Sequence, residues 1–354
     1  MLDSTSQSLF QSLLTSVPLV EKEDFGAAVT DSMLKGTHMR PFIKHVSWAL
    51  TLINCLPKSI SGRCIPGWGE FFNLKNGILD QIREIDASLS DTDKWHQDPS
   101  QQPTIFHDLL SSKALPPQEK NPARLAQEGQ ILVQGGTLTT SWVISLAVFH
   151  LLHRPATLAK LRDELFAAIP NPDETVPLSQ LENLPYLRAV VKESLRLGIG
   201  TSGRLPRIAT HETLTCTDHA TGEEWQLPPG TVVSMSPYMT VMDDSIFYHA
   251  RGFIPERWLE AAASGDRLDK YLVIFGGGAR DCLGMALAKA EVFIALAKLF
   301  RRWGGNDNGD RRPGDVGVFK IFEAEVKDCE MASDYYIPIP YKGNKGLRFV
   351  LEPC

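Results

Sequence analysis

Between Pro122 and His153, apolar side chains recur at helix-compatible spacing for about 30 residues before Arg154-Pro155 closes the run. Such a length exceeds most globular helices, so it predicts a central one. The same periodicity predicts helices over Phe25 to Leu34, Pro41 to Leu56 and Trp68 to Ile85, broken by Pro57 and by Pro66-Gly67. Further helices follow over Ala156 to Ala168, over Pro185 to Leu197 with proline in its first turn, and over the strongly apolar Met285 to Trp303. From Arg204 to Ser234 the pattern changes to short β-like runs, IATHETLTCT and EWQLPPGTVVSM, joined by a turn at His219 to Gly222. The tail offers two more strand candidates, and YLVIF (271 to 275) reads as a strand-like run ahead of a glycine cluster. Asp91 to Asn121, with four prolines and the apolar patch IFHDLL, reads as a surface connection, and a coil-rich stretch leads to Trp258. No repeat is visible, and the strands do not alternate with helices as a doubly wound fold requires. The expectation is a mainly α protein with a minor β-sheet portion, one unit over residues 1 to 354 with no separate second domain.

Composition narrows the class without naming a chemistry. With 43% hydrophobic and 22% charged residues and a net charge of −6, the chain has a globular profile and no run of lysine and arginine to hold nucleic acid. Its longest uninterrupted apolar stretch, Val292 to Ala297, is far short of the roughly 20 residues that span a bilayer, so no transmembrane anchor is expected. The opening MLDSTSQSLFQSLL has an acid and no base ahead of its apolar part, unlike a secretory signal. Six cysteines, at 55, 64, 216, 282, 329 and 354, contain no C-x-x-C pair, which argues against a zinc ribbon or a disulfide framework and for a reducing compartment.

The candidate chemistry lies in Phe275-Gly-Gly-Gly-Ala-Arg280-Asp-Cys282-Leu-Gly284, just before the Met285 helix. A phosphate loop would need Gly-Lys-Ser/Thr where Asp281-Cys282-Leu283 stands. A dinucleotide fingerprint lacks its third glycine and its βαβ setting. A buried, inert cysteine is the plain alternative. Against it, a cysteine at a helix N-terminus beside an arginine has its thiolate favoured by the helix dipole and a fixed positive charge. Such a thiolate is a nucleophile or a metal ligand. No motif nominates a histidine partner for the nucleophile, whereas a ligand role would explain the glycines, since a flat macrocycle approaches the backbone only where side chains are absent.

These residues resemble the cysteine-ligand loop of the cytochrome P-450 haem-thiolate monooxygenases, F-x-x-G-x-R-x-C-x-G, filled by Phe275, Gly278, Arg280, Cys282 and Gly284. A chance match at five fixed positions is on the order of 1 in 10,000 for a chain of average composition. The resemblance implies that Cys282 is the axial ligand of the haem iron, that Arg280 pairs with a haem propionate and that Phe275 packs beside the sulfur. Glu193 and Arg196, alone an unremarkable helix-surface pair, resemble the family's E-x-x-R; Pro255-Glu256-Arg257-Trp258 resembles its P-E-R-F/W segment. In the family these supply a buried network, here Glu193, Arg196 and Arg257. Two glycines inside the long helix cost about 1 kcal/mol each against alanine, and close packing alone could favour them. The segment Gln134 to Thr140 is nevertheless similar to the family's oxygen-binding groove, with Gly136, Thr139 and Thr140 as its residues and Thr139 as its alcohol. It departs at Leu138, where the family has an acid, so protons are expected through Thr139, Gln134 and water.

After Arg196, GIGTSGRLPRIA corresponds to the family's substrate-facing loop, with Arg207, and less directly Arg204, toward a propionate. SDYYIPIPYKGNKGLRF resembles the closing hairpin of fungal members, placing Tyr335 to Pro340 at the pocket, and residues 39 to 57 are similar to fungal members of secondary metabolism. The resemblance implies haem b, O2, an apolar small-molecule substrate such as a terpenoid, and electrons from NADPH through a flavoprotein reductase. The family usually sits on the cytosolic face of the endoplasmic reticulum. Members run to roughly 500 residues, so the chain reads as N-terminally truncated, without the family's early strands and its Trp/Arg helix. Two other readings stand beside a monooxygenase: a non-catalytic haem-protein remnant, and a haem-thiolate isomerase or dehydratase that needs no external electrons.

Overall fold

The computed structural model describes residues 34, 36–38, 45–46, 48, 55, 68–89, 104–218, 220–305 and 311–353. The helices expected over Phe25 to Leu34 and Pro41 to Leu56, the fungal-like stretch from 39 to 57, and Cys64 and Cys354 lie wholly or mostly outside them.

The long apolar run forms helix α3 (Pro122–His153), after α1 (Trp68–Leu89) and α2 (Ile105–Ser111). Its start is fixed locally: Asn121 accepts a hydrogen bond from the Ala123 N–H, and Pro122 occupies the first turn, where its missing N–H costs nothing. Then come α4 (Pro155–Ala168), α5 (Leu178–Glu182) and α6 (Pro185–Gly198). The stretch expected to be β-like becomes two separate antiparallel pairs. β1 (Arg207–Ile208) joins β4 (Val232–Val233), and β2 (Leu214–Thr217) joins β3 (Glu224–Leu227). After α7 (Pro237–Val241), α8 (Glu256–Ser264) and α9 (Met285–Arg302), a three-stranded sheet closes the fold. In it β6 (Gly317–Ile321) runs parallel to β5 (Trp303–Gly305) and antiparallel to β9 (Phe349–Pro353). A small tail hairpin pairs β7 (Ser333–Asp334) with β8 (Pro338–Ile339).

Two expectations are corrected. The IFHDLL patch is not a surface connection but helix α2, where His107 Nδ1 accepts from the Thr104 N–H at 3.0 Å and meets the Thr104 hydroxyl at 2.9 Å. Phe106 on it is 1% exposed and its ring lies where a Cβ on Gly129 of α3 would be, so α2 is pinned into a groove between helices. YLVIF is not a strand: Leu268–Tyr271 and Val273–Phe275 are 3-10 turns, because no neighbouring strand accepts their backbone. The coil-rich stretch does lead to Trp258, with Arg257 and Trp258 in the first turn of α8.

The core follows the helix faces. The C-terminal half of α3 (Leu146, Ala147, Leu151, Leu152) packs with Leu158, Leu161 and Leu165 of α4, Leu187, Val190 and Val191 of α6, and Val292, Leu296 and Phe300 of α9. Fully buried side chains of this size contribute about 1.5 to 3 kcal/mol each. The N-terminal half of α3 instead meets α1 and α2 through Ile78, Ile82, Phe106, Leu125 and Val133. Among the described residues α3 alone is long and apolar enough to cross a membrane by length and composition, and here it is the helix that both clusters share.

Candidate functional site

Cys282 leads directly into α9. The loop before it is shaped by glycines with positive φ, Gly276 at 76° and Gly278 at 73°, values a residue with a side chain rarely adopts. The Cys282 N–H donates to the Phe275 carbonyl at 2.8 Å and the Cys282 carbonyl accepts from Met285 N–H at 3.2 Å, so the turn closes on itself and hands the chain to the helix. The Cys282 thiol is free and exposed. Leu283 beside it is 89% exposed, and a Cβ built on Gly277 or Gly278 would meet nothing within 4 Å. Phe275 packs on the edge of the main core with Lys289 over its ring, and Gly284 is the residue before α9. Arg280 is exposed and, among the described residues, bonded to no carboxylate. Arg207 is exposed on β1 and donates only to its neighbour's carbonyl, Pro206, at 3.0 Å. An exposed sulfur, a bare glycine turn, an exposed apolar side chain and the exposed Arg280 within one short loop fit a flat, apolar, anionic ligand such as haem.

α9 packs against α3, the helix carrying the second candidate group. There Thr139 Oγ1 donates to the Gly135 carbonyl at 2.7 Å, one turn back, which leaves its lone pairs open to accept. Gly135 is exposed with nothing within 4 Å of a Cβ, Gly136 is half-buried and Thr140 is buried. Gly200, after α6, lies against Thr139: a Cβ on it would come within 3.1 Å of the threonine Cβ. Leu138 is turned toward α1 and α2, where it packs on their apolar cluster. The position that holds an acid in the family is therefore occupied by a packing residue.

Behind this region, Glu193, Arg196 and Arg257 come together at 0, 0 and 1% exposure. Glu193 accepts from Arg196 Nε and Nη2 at 2.9 and 2.8 Å, from Arg257 Nε at 3.2 Å, from Trp258 Nε1 at 2.9 Å and from Ile254 N–H at 2.8 Å. Two cations around one anion leave an excess positive charge, and main-chain carbonyls offset it. Arg196 Nη1 donates to Val241 and Ala250, its Nη2 to Gly252, and Arg257 donates to Tyr248 at 2.6 Å and His249 at 3.3 Å. Phe247 and Tyr248 lie under the two guanidinium groups at 5.1 and 4.5 Å. The family resemblance brought out the three charges and named Trp258 within its motif, but not the Trp258 bond to Glu193, the aromatic floor or the carbonyl ring. Main-chain acceptors carry no residue signal at all.

Two further titratable groups lie nearby. Burial, with Arg154, His153 and Arg196 adding to it, pulls His150 of α3 down to about 3, so its ring is neutral and its Nδ1 accepts from Arg154 at 2.9 Å. Burial alone raises Glu291 of α9 to about 7.

The profile of the cytochrome P450 family matches residues 50–313. Among curated relatives, a cytochrome P450 monooxygenase, tpcC of Cochliobolus heterostrophus, is 38% identical over 329 residues, 93% of this chain and 61% of that protein. Another, astB of Talaromyces wortmannii, is 44% identical over 282 residues, 78% of this chain and 55% of that protein. A tryptophan 6-hydroxylase, fscE of Fusarium equiseti, is 34% identical over 336 residues, covering 94% and 60% respectively. The chain thus spans about 55 to 61% of the length of these relatives.

Proposed function

The chain belongs to the cytochrome P450 family, and on that premise we propose that it is part of a haem-thiolate monooxygenase that inserts one oxygen atom from O2 into an apolar small molecule. The observation that carries this reading is the exposed Cys282 sulfur, set in a glycine turn immediately before α9. Bound haem b would supply oxygen activation. Cys282 Sγ would hold the iron, Gly276 to Gly278 would admit the ring, and Arg280 and Arg207 would neutralise the propionates. An unpaired propionate in a partly dry site disfavours retention, which is why these cations matter. Thr139 would hold a proton at its Oγ1 beside the oxygen site, with Gly136 and Thr140 shaping the groove. Since Leu138 is committed to packing, Gln134 and water replace the family's acid in this proposal. NADPH through a flavoprotein reductase at the cytosolic face of the endoplasmic reticulum is the matching electron source. The substrate class is an apolar secondary metabolite, a terpenoid or, by the name of one relative, an aromatic compound such as tryptophan.

The decisive measurement is the reduced carbon-monoxide difference spectrum of the purified chain. A red-shifted Soret band in the parent and in Cys329→Ser, lost in Cys282→Ser, is the expected result. No such band in any of them would favour a non-catalytic remnant. The Leu138 packing favours one alternative, an isomerase or dehydratase. Product formed from candidate substrates without NADPH consumption would point to it, whereas Thr139→Ala diverting NADPH electrons into hydrogen peroxide supports the monooxygenase.

A further inference from the structure

Two residues with side chains adopt left-handed backbone conformations on facing segments. Ile199, at the end of α6, has φ 31°, and Tyr336, in the turn between β7 and β8, has φ 78°. A β-branched and a bulky aromatic residue resist this region, so the surrounding structure must hold them there. For Tyr336, those contacts join the two segments to each other. The Ser202 and Gly203 N–H groups both donate to the Tyr336 carbonyl, at 3.0 and 3.2 Å. Ser202 Oγ donates to Asp334 Oδ1 at 2.8 Å, and the Tyr336 N–H donates to the same oxygen at 2.9 Å. Gly203 permits the approach, since a Cβ there would lie 3.1 Å from Tyr336 Cα. Ser202 is 1% exposed, so this junction is a built one.

Both segments also reach one partly open cavity of about 40 Å³, the first through Leu197 and Ile199 and the second through Pro338, opposite Trp142, Leu146 and His150 of α3. The hydrogen bonds and the close contact at Gly203 together tie the loop to the hairpin turn. The same loop presses Gly200 against Thr139, and the hairpin turn carries Tyr335, edge-on to His38 with ring centroids 4.6 Å apart.

We infer that Asp334 is a specificity-determining positioning residue, which through Ser202 and Tyr336 locks the loop after α6 and the β7–β8 turn into one wall beside Thr139. This rests on the functional reading above, in that the wall faces substrate only if Thr139 does. The carboxylate acts as a double acceptor, a role the amide oxygen of asparagine can also fill.

The test uses the full chain and two independent readouts. Without haem, amide hydrogen exchange at Ser202 and Gly203 should speed up at least tenfold in Asp334→Ala, less in the milder Ser202→Ala, and under twofold in Asp334→Asn. With haem bound, optical titration should show 4-phenylimidazole weakened at least fivefold by Asp334→Ala, imidazole unchanged within twofold, and Asp334→Asn like the parent. Unchanged exchange in Asp334→Ala overturns the junction. Faster exchange with both imidazoles unchanged, or weakened equally, overturns the specificity role and leaves a purely structural contact. A parent chain that takes up no haem overturns the functional reading itself, and the specificity role with it, whatever the exchange shows.

Discussion

Arg257 and Arg280 lie 23 residues apart in the chain, yet they end in opposite states. Every side-chain nitrogen of Arg257, like those of Arg196, has an acceptor inside the protein: the Glu193 carboxylate or a carbonyl from Tyr248 to Gly252. Arg280 stands exposed beside an exposed thiol. Burying a charge is tolerable only when it is completed by partners, so the first cluster is architecture that holds the segment from Val241 to Trp258. An open cation and sulfur on a bare glycine turn cost little to leave in water, and they are available to something else. The difference teaches that an arginine whose donors are all accepted inside the protein serves the fold, whereas one left in water is free to pair with an incoming group.

The contrast breaks first, and most severely, at the saturated end. Glu193→Ala leaves two buried guanidinium groups facing each other and should cost about 3 to 5 kcal/mol, read as a collapse in soluble yield or in the urea midpoint. A loss under about 1 kcal/mol would return the pair to the rank of a surface contact.

Next comes Leu138→Asp, which sharpens the comparison by putting a family-like acid where this fold puts packing. A carboxylate against Ile78, Phe106 and their neighbours should cost about 1 to 3 kcal/mol, measured by thermal or urea unfolding. An undiminished stability together with improved coupling of NADPH to product would show that the position can face the groove.

The buried and half-buried titratable groups give pH slopes of opposite sign. His150 has its folded value depressed, so its contribution is full above pH 6.5 and is lost as pH falls toward about 3, by at most about 1.4 kcal/mol per pH unit. Glu291 has its folded value raised, so its contribution is full below pH 4.5 and is lost as pH rises toward about 7. Urea midpoints across pH 4.5 to 7 should therefore fall less steeply toward acid in His150→Phe and less steeply toward neutrality in Glu291→Gln. Parallel curves for parent and variants would contradict both assignments.

The smallest effect on stability is expected at the open end. Cys282→Ser changes an exposed atom and should move unfolding by less than about 0.5 kcal/mol, although the same variant should abolish the thiolate spectrum proposed for the parent. A destabilisation of several kcal/mol would make the thiol a structural group after all.

Much of this molecule was legible in order of residues alone. The central helix, its stop at Arg154-Pro155, and the helices beginning at Pro185 and Met285 follow from periodicity and proline, which act within one or two turns. The cysteine loop was legible because its glycines, arginine and cysteine lie within ten residues, and a short loop carries its geometry in its own sequence. Three charges of the buried network were visible as paired motifs. What completes them was not, because the completing groups are carbonyls and ring faces delivered by the tertiary fold. The cap of α6 makes the same point: no residue at its own start accepts its first N–H groups, and Glu164 of α4 does so instead, bonding Tyr186 and Leu187 N–H at 2.8 Å each. The direction of Leu138, the anchoring of α2 by Phe106 and the junction of Ser202 with Asp334 were likewise decided by what lies across the fold. Each depends on atoms distant in sequence, and their energies exist only once the chain has closed around them.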